Sequence, residues 1–209
     1  AEGDTPNRYK VSKQADVLML FYLFSSEELR GLFEQLGYPF ERDTIPRNIE
    51  YYMQRTSHGS TLSFVVHAWV LARSDRSGSW HCFQEVLDSD ISDIQGGTTP
   101  EGIHLGAMAG SLDLLHRGYL GIETRGNVLY LDPALPRELE RLQAVLRYRR
   151  HQIELDATHD TITVHSRPLI AAPITIAYRG RVHELSPGLS FSFELVRGRR
   201  QGLHEEGGA

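Results

Sequence analysis

A chain of 209 residues, 40% hydrophobic and 23% charged, has the composition of an ordinary globular protein and is long enough to bury a core without staples. Its formal net charge of −5, with Lys and Arg scattered along it, leaves no basic stripe and argues against a nucleic-acid partner. The longest apolar run, residues 17–24, is too short for a bilayer, no signal segment opens the chain, and the one cysteine, Cys82, cannot form an internal disulfide. The expectation is a cytoplasmic protein with no membrane partner.

Residues 1–9 are polar, and strong patterning begins directly afterwards, as in a piece cut from something longer. Residues 14–24 are apolar on nearly every side, which predicts a helix buried between others. Ser26 can cap the next helix, with Glu27 and Glu28 in its first turn and Gly37 closing it. Pro46 suits the first turn of a helix running to Arg55. In residues 60–73, Leu62, Val65, Val66, Trp69 and Val70 recur at helical spacing and predict a single apolar face. Helices over 80–87, with Cys82 as a structural thiol, and over 100–117 complete an antiparallel array of about six.

After Gly118 the period changes to two. Residues 128–131, 153–155, 161–164, 174–176 and 191–195 read as strands separated by turn signals such as Arg179-Gly180-Arg181 and Pro187-Gly188. The fold class predicted is α+β, with an antiparallel β-sandwich-like unit following the helices. The organisation read from the chain is 1–118 helical, 119–198 β and 199–209 a flexible tail, with Asp132-Pro133-Ala134-Leu135-Pro136 as connector. The arginine cluster at 197–200 falls in a Gly-rich end and reads as a solvated terminus.

Three segments are unusual for plain scaffolding, and each opens a helix. Lys13-Gln14 leads into the first apolar helix. In Arg55-Thr56-Ser57-His58-Gly59-Ser60-Thr61, the backbone amides and hydroxyls of Gly59, Ser60 and Thr61 lie where a helix begins, a place that favours an anion. The alternative there is an ordinary N-cap made by Ser60 or Thr61. In the third segment Thr99, Pro100 and Glu101 make a strong helix start. Gly102, Gly106 and Gly110 then form a bare stripe, with His104 near the start as either a ligand contact or a satisfied structural histidine.

Taken in order, Lys13-Gln14-Ala15-Asp16-Val17, the run 56–63 (TSHGSTLS) and the run 97–110 (GTTPEGIHLGAMAG) resemble the C-terminal half of family 65 of the glycoside hydrolases, which includes maltose, trehalose and kojibiose phosphorylases. The resemblance covers residues 13 to about 193. It implies that 1–118 are the last helices of an (α/α)6 catalytic barrel and that the β half is the family's C-terminal domain. It also implies a reaction in which inorganic phosphate attacks the anomeric carbon with inversion while a glutamic acid protonates the leaving oxygen. Phosphate as nucleophile removes the need for the second carboxylate of an inverting hydrolase. By the same resemblance Lys13 and Gln14 bind sugar, while Gly59, Ser60, Thr61 and His104 bind phosphate. No cofactor is implied beyond phosphate as co-substrate, and the full-length enzyme is expected to be a homodimer.

The general acid of that family precedes the Lys13 segment, where this chain has only Glu2. Glu101 is accounted for by its place in a helix's first turn, and Glu85 by an amphipathic helix. No catalytic acid is assigned. The expectation is therefore the C-terminal fragment of a disaccharide phosphorylase of trehalose or kojibiose type, inactive alone and partnered by the missing N-terminal part. The alternatives are a family 65 hydrolase and a non-catalytic carbohydrate-binding or subunit-interface module.

Overall fold

The structure, a computed structural model, describes residues 6–93, 96, 97, 100, 102–167 and 170–196. Glu2, Thr99, Glu101, the cluster 197–200 and the tail 199–209 lie outside the described residues.

The helices are α1 (Pro6–Tyr9), α2 (Met19–Leu23), α3 (Ser26–Gln35), α4 (Thr44–Met53), α5 (Thr61–Leu71), α6 (Arg76–Asp88) and α7 (Leu105–Asp113), the last continued by a π-helical turn, Leu114–Tyr119. Residues 14–24 do not form one helix. Only Met19–Leu23 is helical, and residues 12–15 run in a non-helical path held by partners described below. The cap of α3 is Ser25 rather than Ser26: its side chain accepts from the Glu28 amide while Glu28 accepts from the Ser25 amide. At the other end Gly37 takes a positive φ of 75°. The Tyr38 amide reaches back to the Phe33 carbonyl at 2.9 Å, and the rings of Phe33 and Tyr38 meet edge to face.

Helix α5 is the centre of the helical region. Ser63, Val65, Val66, His67, Ala68 and Val70 are all buried, so it is covered nearly all round, and not on the single face that periodicity predicts. Helix α6 returns antiparallel to it, because Ser79 Oγ donates to the Ala68 carbonyl at 2.6 Å a few residues beyond the connecting turn. Helix α7 runs parallel to α5. Gly106 faces Leu62, and a methyl at Gly110 would overlap the Val65 side chain, so residues advance together along both helices. The start of α5, the end of α6 and the start of α7 therefore share one end. The predicted helix from Pro100 begins later, at Leu105, and Gly102 stands outside it with φ 112°.

Among the described residues eight strands follow in two sheets, β1 (Glu123–Arg125), β2 (Val128–Tyr130), β3 (Arg141–Tyr148), β4 (His151–Thr158), β5 (Thr161–Ser166), β6 (Ile174–Tyr178), β7 (Arg181–Leu185) and β8 (Ser190–Glu194). Their orders are β1-β2-β6-β7 and β3-β4-β5-β8. The pairing is antiparallel throughout except β2 with β6, which is parallel, a departure from the wholly antiparallel expectation. Strand β4 alternates buried and half-buried at every step, and its Ile153, Leu155 and Ala157 join Ile176 and Tyr178 of the other sheet in one core. That core also takes in Ala68, Phe83, Leu114 and Tyr119, so helices and sheets are cemented by a shared apolar cluster. The connector at 132–136 is part of it: Ala134 and Leu135 are buried, and the Ala134 amide donates to the Tyr119 carbonyl at 2.7 Å.

Candidate functional site

The segment holding Lys13 and Gln14 is laid beside the loop that leads into α5. Ser12 pairs with Thr56 in a parallel bridge. The Ser12 amide donates to the Arg55 carbonyl at 2.8 Å, the Ser57 amide to the Ser12 carbonyl at 2.9 Å, and the Gly59 amide to the Lys13 carbonyl at 2.8 Å. Further along, the Ala15 amide donates to Ser63 Oγ at 3.1 Å, inside α5. Two of the three unusual segments thus form one unit, although 44 residues separate Lys13 from Ser57, whose hydroxyl donates to the Lys13 carbonyl. Gly59 is a contact requirement of this unit. A methyl there would stand 2.9 Å from Lys13 Cγ and 3.1 Å from its carbonyl oxygen. Lys13 itself is exposed and Gln14 half-buried.

At the loop itself, Ser60 is extended and caps α5, its Oγ accepting from the Leu62 amide at 3.3 Å. The Gly59 amide is therefore engaged within the protein as a donor, and the Ser60 hydroxyl oxygen as an acceptor. No partner among the described residues takes the amides of Ser60 or Thr61, which stand at the positive end of the helix macrodipole. Thr61 is buried at 4% exposure and Ser60 is half-buried.

Beneath the loop sits a cluster that the sequence did not single out. His58 has a left-handed φ of 52° and stacks on Phe64, ring centroids 4.3 Å apart, while its edge meets His67 at 4.4 Å. His67 is 2% exposed and its Nε2 finds no partner among the described residues. Burial, with a lesser contribution from His58, pushes its pKa down to about 4, so the imidazole is neutral in the fold. Burial lowers His58 as well.

His104 occupies the N-cap position of α7, at the end it shares with the α5 start, without capping through its side chain. It is bound to Asp90, two residues past the end of α6. The His104 amide donates to both Asp90 carboxylate oxygens at 3.1 and 3.0 Å, and His104 Nδ1 lies 2.5 Å from Asp90 Oδ1. The hydrogen bond from His104 holds the Asp90 carboxyl below the usual carboxylate range. Nothing in the sequence marked Asp90, which has neither motif nor period around it. Cys82, by contrast, is the structural thiol expected: burial pushes its pKa up to about 11.

A cleft of about 710 Å³ opens at the far end of α5, where Trp69 and Arg73 face Phe24, Arg117 and Tyr130. Several of its ionic groups pair across it, Arg73 and Arg179 with Asp132, and Arg125 with Glu123. No described helix is long and apolar enough to cross a membrane.

A helical region ending in a two-sheet β unit, with a helix-start loop held against a Lys-Gln segment, has counterparts among known proteins. Residues 1–113 match the glycosyl hydrolase family 65 central catalytic domain, and residues 122–185 match that family's C-terminal domain. The chain belongs to glycosyl hydrolase family 65. It is 53% identical over 188 residues to an uncharacterized glycosyl hydrolase of Mycobacterium tuberculosis, covering 90% of this chain and 14% of that protein. It is 35% identical to the trehalose 6-phosphate phosphorylase of Lactococcus lactis subsp. lactis, covering 93% of this chain and 25% of that one. With the kojibiose phosphorylase of Caldanaerobacter subterraneus subsp. tengcongensis it shares 30% identity over 78% of this chain and 19% of the relative. A solved structure from the human microbiome, provisionally named a kojibiose phosphorylase, superposes with a TM-score of 0.67 at 21% identity, over 88% of this chain and 22% of that one. The chain thus spans a quarter or less of the length of these relatives.

Proposed function

We propose that this chain is the C-terminal part of an inverting disaccharide phosphorylase that cleaves an α-glucoside of trehalose or kojibiose type with inorganic phosphate, giving β-glucose 1-phosphate and a free sugar. The observation that carries the reading is the convergence at one end of α5. The Lys13-Gln14 segment is bonded to the loop, two amides stand without a partner among the described residues, and the parallel run of α7 brings His104 to the same end.

In this reading Lys13 and Gln14 contact the sugar. The Ser60 and Thr61 amides, with Thr61 Oγ, hold phosphate at a helix start, where orphan donors and the helix dipole favour an anion. His104 supplies a further donor. Gly59 contributes by letting Lys13 lie close, since its own amide is taken. The catalytic acid and the remaining helices of an (α/α)6 barrel come from the rest of the longer protein, which is the chain's natural partner. Alone, these 209 residues have no phosphorolytic activity. The domain limits 1–118 and 119–198, a homodimeric parent, a cytoplasmic location and the need for no cofactor beyond phosphate belong to the same reading.

A second reading, a family 65 hydrolase, gains from the Gly59 amide being already engaged inside the protein, because water as nucleophile needs no anion cradle. One experiment separates the two. The polypeptide containing these residues together with the rest of its catalytic domain is given trehalose, kojibiose, trehalose 6-phosphate and maltose, with and without phosphate. The proposal expects cleavage only with phosphate and β-glucose 1-phosphate as product. Phosphate-independent release of glucose would overturn it in favour of the hydrolase.

A further inference from the structure

We propose that Asp90 is a positioning residue for the reaction: its carboxylate fixes the His104 imidazole so that Nε2, and not Nδ1, meets the phosphate. The inference rests on the phosphate reading given above and adds a residue to it.

Three contacts join the pair. Both carboxylate oxygens accept from the His104 amide, at 3.1 and 3.0 Å, and Oδ1 lies 2.5 Å from Nδ1. A carboxylate offers only acceptors, so the short contact requires the proton on Nδ1. That settles which ring nitrogen can meet a ligand, because Nδ1 faces Asp90 and Nε2 alone remains. It also restrains the ring. The backbone bonds anchor the carboxylate to the same residue whose side chain it holds, so the imidazole loses freedom about both side-chain torsions. A histidine held in this way by a carboxylate keeps its tautomer and orientation, the role such partners play behind metal-bound and catalytic imidazoles.

The placement agrees with that role. Asp90 follows the C-terminal end of α6, and α6 runs antiparallel to α5. His104 opens α7, which runs parallel to α5. All three arrive at the end where Ser60 and Thr61 present their amides. The side chains of His104 and Asp90 are 25% and 15% exposed, so the pair is sheltered and still partly open to solvent.

The test uses the active polypeptide containing these residues together with the rest of its catalytic domain. Asp90→Ala and Asp90→Asn are compared with His104→Ala and with the double variant Asp90→Ala/His104→Ala. The expected result is a KM for phosphate raised by ~10–100-fold in Asp90→Ala, the loss typical when such an outer partner is removed, with the KM for disaccharide changed less than about twofold. Asp90→Asn, which keeps an acceptor oxygen of the same shape, recovers part of that loss and remains informative should Asp90→Ala fail to fold. Because Asp90 acts through His104, the double variant is no worse than His104→Ala. Phosphate dependence in the wild type with an unchanged phosphate KM in both Asp90 variants overturns this inference alone. Additive losses in the double variant overturn it too, in favour of a purely structural Asp90. A wild type indifferent to phosphate overturns the functional reading, and the inference with it.

Discussion

The strand region and the helical region solve the burial problem differently. In the two sheets Ile153, Leu155, Ile162, Val164 and Ile176 are at most 1% exposed, and along β4 and β5 these buried residues alternate with half-buried ones. Among the described helices α5 is the one covered nearly all round, while Leu23, Leu36, Ile91, Ile103, Leu105 and Leu112 around it are each more than half exposed. A sheet pair closes its own core with residues from adjacent strands. A helical layer needs another layer against each apolar face. In the proposed reading those faces are covered by the rest of the catalytic domain.

The difference is broken most strongly by emptying the shared core. Phe193 is 2% exposed on β8 and packs with Tyr178 across the sheets. Phe193→Ala is expected to cost about 3–5 kcal/mol in denaturant unfolding. A loss below ~1 kcal/mol would mean that the sheets do not carry the core described.

Acid probes the helical side. His67 is neutral in the fold, its pKa lowered from 6.5 to about 4. The unfolded chain takes up a proton near pH 6.5 that the folded chain refuses until about pH 4. Stability is therefore intact above that window and falls as pH drops through it, by about 1.4 kcal/mol per pH unit. Between pH 7 and 5 the wild type should lose about 2 kcal/mol more than a His67→Leu chain. Equal losses would show that His67 is not the group resisting protonation.

Closer packing gives a smaller effect. Gly110→Ala forces a methyl into Val65, and the expected cost is about 1–3 kcal/mol, reduced by the better helix propensity of alanine. No cost would mean that α5 and α7 do not approach so closely, which would separate the His104 end from the α5 start. The smallest effect on stability belongs to the exposed face. Leu105→Gln with Leu112→Gln should change unfolding free energy by no more than ~0.5 kcal/mol each, yet reduce self-association in sedimentation, since exposed apolar patches drive it. Unchanged association would show that those faces are not the adhesive ones.

The legible features were those with local chemistry. Strands β4, β5, β6 and β8 announced themselves by alternation, Gly37 by the helix end it closes, and Ser60 by the helix it caps. Strand β3 was missed because Leu142, Gln143, Ala144, Leu146 and Arg147 favour helix. Its turn, Arg149-Arg150, also takes two positive φ angles without the Asn or Gly that usually signals them. The short strands β1 and β7 carry too few apolar residues to show a period. At the candidate site, motifs led to Lys13, Gly59, Ser60, Thr61 and His104. They could not reveal that Gly59 serves Lys13 or that Asp90 holds His104, because both facts depend on tertiary pairing between distant segments. The non-helical course of residues 12–15 was hidden for the same reason, one isolated bridge to Thr56 leaving no period to read.

The central claim is that the α5 start and His104 form one phosphate site. It is tested most directly by the kinetics of His104→Ala in the active polypeptide. Losing a charge-assisted contact of about 1.5–3 kcal/mol predicts a KM for phosphate raised roughly 10- to 150-fold, with disaccharide KM nearly unchanged. An unaltered phosphate KM would contradict the claim and return His104 to the role of a structural residue.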